Sequence, residues 1–319
     1  VGACITLRAI HSRQGGPDEG LTGMLQEVFN TWEMTRAEVR AQLRRTLGAW
    51  YRMESGETTL ELEVRALTEL LRPQGGSAEG VEHSYRFSTV AEQHAVVERV
   101  LRQVAGRRPV FLWLDDVAWS HATLDFARYL LERAPDYGLF LAMTAPRSAV
   151  SGDGPVADEL RQIGAHSRAR RLELEPLTRS DHRELVDRML NLEEGLAEEL
   201  VQRTGGTPLF AVEVVRDWVE RGLLEPGPEG YRLREGAEQR VPDDLHQIWE
   251  QRVEHLADAL PEECRESALR AVEVAAVFGV NVDETEWKAA CRRAGVEPVD
   301  HLLSRMIEQG LVFPDPAGW

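Results

Sequence analysis

Two adjacent carboxylates, Asp115 and Asp116, end the nearly continuous apolar run PVFLWLDD at 109–116. Such a run suits a central parallel strand buried on both faces, and its carboxyl end is where open α/β sheets bind their ligands. At a nucleotide-hydrolysing centre the first carboxylate of such a pair holds Mg2+ through water, and the second polarises the attacking water. The alternative is that Asp116 only caps the turn that follows. A second run of the same kind, GLFLAMTA at 138–145, continues into Pro146, Arg147 and Ser148. Thr144 and Arg147 therefore emerge at the same edge as the carboxylates, where a hydroxyl and a guanidinium can sense a γ-phosphate. Arg147 also reads as a solvated loop arginine, because all 37 basic residues except Lys288 are arginines and such residues mostly lie at the surface. Further on, Gly205, Gly206, Thr207 and Pro208 make a glycine turn that enters a helix at proline. Such a turn brings backbone close to a flat ligand ring, or is an ordinary helix start.

Other chemistries lack their residues. A phosphate-cradling loop needs a glycine-rich turn ending in Lys-Ser or Lys-Thr, and Lys288 stands between Trp287 and Ala289. The nine histidines form no HExxH or other paired spacing, and there is no GxSxG elbow. Cys4, Cys264 and Cys291 are too few and too scattered for a disulfide framework or a zinc site, which points to a reducing, cytoplasmic compartment. Trp113, Trp119, Trp218, Trp249 and Trp287 fall on apolar faces and are expected in the core.

These residues need elements to position them. Residues 3–8 read as a short β-branched strand, followed by helices near 21–30, 35–48 and 58–72, the last closed by Pro73. QGGSAEG at 74–80 is a loop, and Thr89 with Glu92 makes a capping box for a helix that ends at Gly106. After the first carboxylate run comes a helix from about Ala122 to Arg133; after the second, RRLELEP at 170–176 reads as a third, more polar strand near a sheet edge. Strand, helix, strand, helix, strand is the grammar of an α/β doubly wound sheet. Beyond Pro176 the pattern is helical through about Gly222, with caps at Thr178 and at 205–208, and EPGPEGYRL at 225–233 is hairpin-like. A last helical group opens at Val241-Pro242, with helices near 243–257, 262–277, 284–294 and 298–309 and then a short strand, GLVFPDP.

With 319 residues, 43% hydrophobic and 29% charged, and a mean hydropathy of −0.35, the chain has the composition of a soluble globular protein of two or three domains. No apolar run approaches the ~18 residues of a membrane span, so no membrane partner is expected. VGACITLRAI carries neither an initiator Met nor an export signal and reads as a strand entered inside a longer protein. A net charge of −17 disfavours a nucleic-acid surface. From 241 to 319 there are 7 basic and 16 acidic residues, a net of −9, and Arg292-Arg293 is the one adjacent basic pair. Several phosphate contacts cannot be made from that, so this region is expected to pack as a switch element and not to bind duplex DNA.

PVFLWLDDVAWSHATLDFARYLLERAP, GLFLAMTAPRS, RRLELEPLTRSDHRELV, VQRTGGTPLFAVEVVRDWVERGLL and VPDDLHQIWEQRVEHL follow one another in this order. Together they resemble the ATPase core of the STAND class, signal-transduction ATPases with numerous domains that are relatives of AAA+ proteins, and the bacterial regulator branch in particular. The resemblance runs from about residue 90 to the end. It implies an α/β P-loop-NTPase-like parallel sheet over 1–170, an all-α lid domain over 171–240 and a winged-helix domain over 241–319. It also implies that Asp115 binds Mg2+, Asp116 supports hydrolysis, Arg147 is sensor-like and Pro208 packs on the adenine of ATP or ADP, with Gly206 and Thr144 beside the nucleotide. Such a module acts as a nucleotide-dependent switch whose partners are protein effector domains or oligomer partners. The alternatives are a non-catalytic interaction scaffold on the same fold and a winged-helix transcription regulator. In the family the phosphate loop lies just upstream of the strand at 3–8. Its absence is expected to leave a gap or an unpaired edge between the strands ending at Asp115 and Glu175.

Overall fold

A computed structural model describes residues 4–13, 15–16, 18–50, 57–74, 85–106, 108–133, 136–235, 245–258, 260–279, 282–297, 301–308 and 311–314. The chain divides into two compact units: Val1–Arg171 with Ala276–Val282, and Leu172–Ala275 with Asp283–Trp319. The expected loop at 75–80 and the Val241-Pro242 opening lie outside the described residues. Among the described residues no helix is long and apolar enough to cross a membrane.

The first unit is built on three parallel strands in the order β1 (Ile5–Ile10), β2 (Val110–Asp115) and β3 (Leu139–Met143). Between β1 and β2 run α1 (Gly20–Phe29), α2 (Arg36–Trp50), α3 (Glu57–Leu71) and α4 (Val90–Ala105); α5 (His121–Arg133) links β2 to β3. After β3 come α6 (Arg147–Ser151) and α7 (Pro155–Ala165). Thr89 caps α4 as its sequence implies, accepting from the Glu92 N–H at 3.2 Å. The register pairs Leu7 with Leu112, Leu112 with Leu141, and Ala9 with Leu114. Side chains alternate across a strand, so Leu7, Ala9, Val110, Leu112 and Leu114 share one face. That face is buried in a core with Val97, Leu101, Leu124 and Ala127 of α4 and α5. Burying a leucine of this kind contributes about 1.5–3 kcal/mol.

The opposite face is open. It carries Thr6 and Arg8, then Phe111 and Trp113, then Phe140, whose side chain is 63% exposed. Phe111 and Phe140 stack with centroids 5.4 Å apart, and the Arg8 guanidinium lies 4.2 Å from the Trp113 ring. Strands taken in the order β1, β2, β3 by right-handed crossovers put all their helices on one side. That is the cause of the one-sided cover.

RRLELEP corrects the strand expected at 170–176. The segment joins no ladder among the described residues, and Leu172 and Leu174 are almost fully exposed. An alternating sequence becomes a strand only beside another strand, and none pairs with it among the described residues. With no strand at 170–176, the expected gap between strands ending at Asp115 and Glu175 has no second strand to bound it. β3 takes the place beside β2, and its outer edge has no ladder partner among the described residues.

The second unit contains α8 (Arg179–Met189), α9 (Glu194–Thr204), α10 (Pro208–Glu220), a hairpin of β4 (Leu224–Pro226) and β5 (Tyr231–Leu233), then α11 (Leu245–Asp258), α12 (Glu262–Phe278), α13 (Glu284–Arg293) and α14 (Leu302–Glu308). Val186, Leu200, Val201, Phe210, Val214 and Trp218 close one core. Trp287 is buried, and its indole N–H donates to the Ala271 carbonyl at 2.8 Å. The strand expected at GLVFPDP is absent over the described residues 311–314. There the Leu311 N–H turns back onto the Met306 carbonyl at 2.9 Å, a helix-end contact that competes with extension.

Candidate functional site

β2 delivers Asp115 to its carboxyl end, and the chain then turns sharply. Asp116 takes a left-handed backbone, φ 52° and ψ 43°, before a 3-10 turn over Val117–Trp119. Aspartate tolerates that region better than most residues. Asp116 stands at the N-cap of the 3-10 turn, yet its exposed side chain makes no capping hydrogen bond. The reading of Asp116 as a mere cap therefore has no bond behind it.

Thr144 ties the Asp115 carboxylate to the Asp116 backbone. Its hydroxyl donates to Asp115 Oδ1 at 2.6 Å and accepts the Asp116 N–H at 2.8 Å. Its backbone continues the β2–β3 ladder, the Thr144 N–H donating to Leu114 and the Val117 N–H to Thr144, both at 3.0 Å. The other carboxylate oxygen, Asp115 Oδ2, accepts from Arg8 at 2.8 Å. Partial burial pushes the Asp115 carboxyl up, but the Thr144 hydroxyl and the Arg8 guanidinium, with His11 nearby, outweigh it and hold it below the usual carboxylate range. Behind the strand end, His11 Nδ1 lies 2.6 Å from the Asp115 carbonyl and its Nε2 lies 2.9 Å from the Thr123 hydroxyl. Gly20, at φ 62°, leaves room for that ring: a Cβ there would meet His11 Nε2 at 2.9 Å. A cavity of about 190 Å³ opens beside it, lined by Ser12, Glu19, Trp119 and Ser120 among others. Within it Glu19 accepts both the N–H and the hydroxyl of Ser12 at 2.7 Å.

Hard oxygen donors on two adjacent carboxylates and a hydroxyl suit Mg2+, which takes one or two carboxylates and completes its shell with water and phosphate. Among the described residues no three His, Cys, Asp or Glu side chains gather to hold a metal ion by themselves. Arg147 opens α6 three residues past Thr144 and is exposed.

Gly206 and Pro208 belong to the second unit. Gly205 and Gly206 have φ of 56° and 79°, and Pro208 begins α10. The turn is held from one side by the Leu177 N–H, which donates to the Gly206 carbonyl at 2.8 Å. A Cβ on Gly206 would stand 2.6 Å from the Leu177 carbonyl, so glycine is required there for close approach as well as for its backbone angle. Thr207, Pro208 and Leu209 are exposed.

The fold thus gathers Asp115, Asp116 and Thr144 into one hydrogen-bonded cluster and sets Arg147 at the start of the helix that follows it. Arg8 and His11 went unread because only the parallel register, Arg8 against Trp113 and Ile10 against Asp115, brings them there. Trp119 is a correction: it is 47% exposed, beyond the strand end and outside the core, with the Arg13 guanidinium 5.9 Å from its ring. Trp113 likewise lies half-buried on the open face.

The fold and the cluster define an open α/β protein whose polar groups converge at the carboxyl ends of parallel strands. Among solved structures, the chain is similar to the Walker-type ATPase paby2304 of Pyrococcus abyssi, with 15% identity and a TM-score of 0.35 over 99% of this chain and 87% of that one. No protein-family model and no curated protein sequence matches it.

Proposed function

We propose that this chain is a nucleotide-dependent regulatory switch module of a larger signalling protein. In the intact protein Asp115 would hold Mg2+, Asp116 would polarise the attacking water, Thr144 and Arg147 would sense the γ-phosphate, and Gly206 and Pro208 would lie against the base of ATP or ADP. Bound Mg2+ neutralises phosphate charge; this chain's residues supply its anchoring and the water's orientation. The observation that carries the reading is the Asp115–Thr144–Asp116 cluster at the strand ends, beside the edge of β3 that has no ladder partner among the described residues.

The sheet supports it in a second way. A buried parallel strand such as β2 calls for cover on both faces, and one face is open. A further strand along β3 that crosses back to β1 runs in the direction opposite to β1–β2–β3. Right-handedness then lays its helix on the open face, over Phe111, Trp113 and Phe140. Its loop would emerge beside the carboxylates, where a GxxxxGK[ST] loop cradles phosphate. Effector domains or oligomer partners would read the resulting change of arrangement.

The test is to compare Mg-ATP binding and turnover by the intact protein with those of the 319-residue chain. The intact protein is expected to bind and turn over ATP, and the chain alone to show no steady turnover. Turnover that tracks with the purified chain overturns the reading. An intact coding sequence without GxxxxGK[ST] one strand and one helix before Val1 leaves the non-catalytic scaffold.

A further inference from the structure

The Gly205–Pro208 turn has a second anchor that nothing in its own sequence suggests. His182 of α8 is 1% exposed and sits 24 residues before Gly206. The Gly206 N–H donates to its Nδ1 at 3.1 Å, and its Nε2 lies 3.3 Å from the Thr204 hydroxyl. A backbone N–H can only donate, so Nδ1 is an acceptor and the proton of the neutral ring is on Nε2. Thr204 is consistent with that tautomer: its hydroxyl gives its own proton to the Leu200 carbonyl at 2.6 Å, leaving a lone pair for the ring N–H. Every polar atom in this chain of contacts is satisfied in one way.

We propose that His182, as the neutral Nε2–H tautomer, is the positioning residue that sets the Gly205–Pro208 turn, and that its protonation releases the turn. A proton on Nδ1 would face the Gly206 N–H, turning a hydrogen bond into a donor–donor clash inside a dry site. Burial alone pushes the imidazole down from its ordinary range, and no charged group contributes to that shift. The neighbouring charge on α8, Arg183, is engaged with Asp187 at 2.8 Å and with Glu194 of α9 at 2.6 and 2.9 Å. The ring's hydrogen-bond partners on α9 and on the turn are the Thr204 hydroxyl and the Gly206 N–H. Asp181, next to His182 on the helix, is held by the Thr178 hydroxyl. The closed turn is therefore fully stable above the ordinary histidine value near 6.5 and loses stability as pH falls from there through the ring's lowered value. The importance of the turn for a bound base rests on the function proposed above; the turn's own conformation does not.

The experiment uses the full chain without nucleotide, following the Gly206 amide and the His182 ring by NMR from pH 7.5 to 5. The expected result is a ring in the Nε2–H form at pH 7.5, with Gly206 protection falling at least tenfold on the same titration curve as the ring. His182→Asn places an acceptor where Nδ1 stood. It should keep Gly206 protection within about threefold of wild type and abolish its pH dependence. His182→Leu should lose at least tenfold of that protection while amides in the middle of α9 and α10 keep theirs. An Nδ1–H ring at pH 7.5, or Gly206 protection that ignores the ring's titration, overturns the proposal. Both are read on the wild-type chain, so they stand even if the leucine variant fails to fold. A turn that opens with unchanged ADP affinity of the intact protein supports His182 as its anchor and removes Pro208 from the nucleotide site.

Discussion

Replacing Thr144 by valine keeps the shape of the side chain and deletes one hydroxyl. Two partners lose it: Asp115 Oδ1 at 2.6 Å and the Asp116 N–H at 2.8 Å. A hydrogen bond to a charged group contributes about 1.5–3 kcal/mol and a neutral one about 0.5–1.5 kcal/mol. Thr144 is exposed, so water takes over part of each role, and the lower ends apply. The sum is about 2 kcal/mol at pH 7, which with a urea slope of about 2 kcal/mol/M moves the midpoint by about 1 M. The deficit also depends on pH. The Asp115 carboxyl is held below its ordinary range by Thr144 and Arg8 against the opposing effect of burial. A depressed folded value means stability that is fully present above the unfolded value near 3.9 and lost as pH falls through the folded one. The Thr144→Val deficit should therefore be complete at pH 7 and shrink below about pH 4, while Thr144→Ser stays close to wild type throughout. Urea unfolding followed by intrinsic fluorescence, with Trp113 and Trp119 within four residues of the carboxylates, measures it. A deficit equal at both pH values, or a serine variant as weak as the valine, refutes the account of Thr144 as the carboxylate tie.

Asp116→Gly should leave stability within about 1 kcal/mol of wild type. Relief of about 1 kcal/mol of left-handed strain is offset by the greater freedom of glycine in the unfolded chain, about 0.4–1 kcal/mol; a loss above about 2 kcal/mol would make the side chain structural. The same substitution in the intact protein should abolish hydrolysis while sparing nucleotide binding, read by turnover and by ADP titration. Arg252 is 4% exposed and stands 2.8 Å from the buried Glu213, so Arg252→Met strands a carboxylate and should cost about 3 kcal/mol in urea unfolding. Adding Glu213→Leu should restore most of that loss, and a double variant as unstable as the single one would remove the ion pair from the account. The chain should show no saturable binding to random duplex DNA in a low-salt titration, given the net of −9 over 241–319; salt-sensitive binding at low micromolar protein would restore the transcription-regulator reading.

What could be read in advance follows from what is local. β2 and β3 announce themselves because they are apolar at nearly every position, as strands of a parallel sheet are, and the carboxylates stand out against that background. Thr178 caps α8 as its sequence implies, its hydroxyl accepting the Asp181 N–H at 3.2 Å. Residues that act across the fold leave no such mark. Arg8 meets Asp115 only through strand register, His11 reaches Thr123 across 112 positions, and His182 meets Gly206 across two helices. RRLELEP was misread for the opposite reason: its alternation is sound, but a strand is a pairwise object and the pattern names no partner.

The open face of the sheet turns that failure into an argument. Phe111, Trp113 and Phe140 lie on one side of strands whose other side packs against the core. A three-stranded parallel sheet with this much aromatic surface in water is not a finished packing solution. Arg8 shields part of it, stacking on Trp113 while its guanidinium pairs with Asp115. A helix laid over that face would meet Arg8 as well as the aromatic rings. It would bear on the arginine that neutralises Asp115, which is also the carboxylate proposed to hold the metal. Cover of the sheet and charge at the site are in this way linked through one side chain. Arg8→Gln in the intact protein should therefore change Mg2+ affinity without changing nucleotide-free folding by more than about 1 kcal/mol, since exposed ion pairs contribute little. An unchanged Mg2+ titration would separate the two and leave Arg8 a surface residue of the strand.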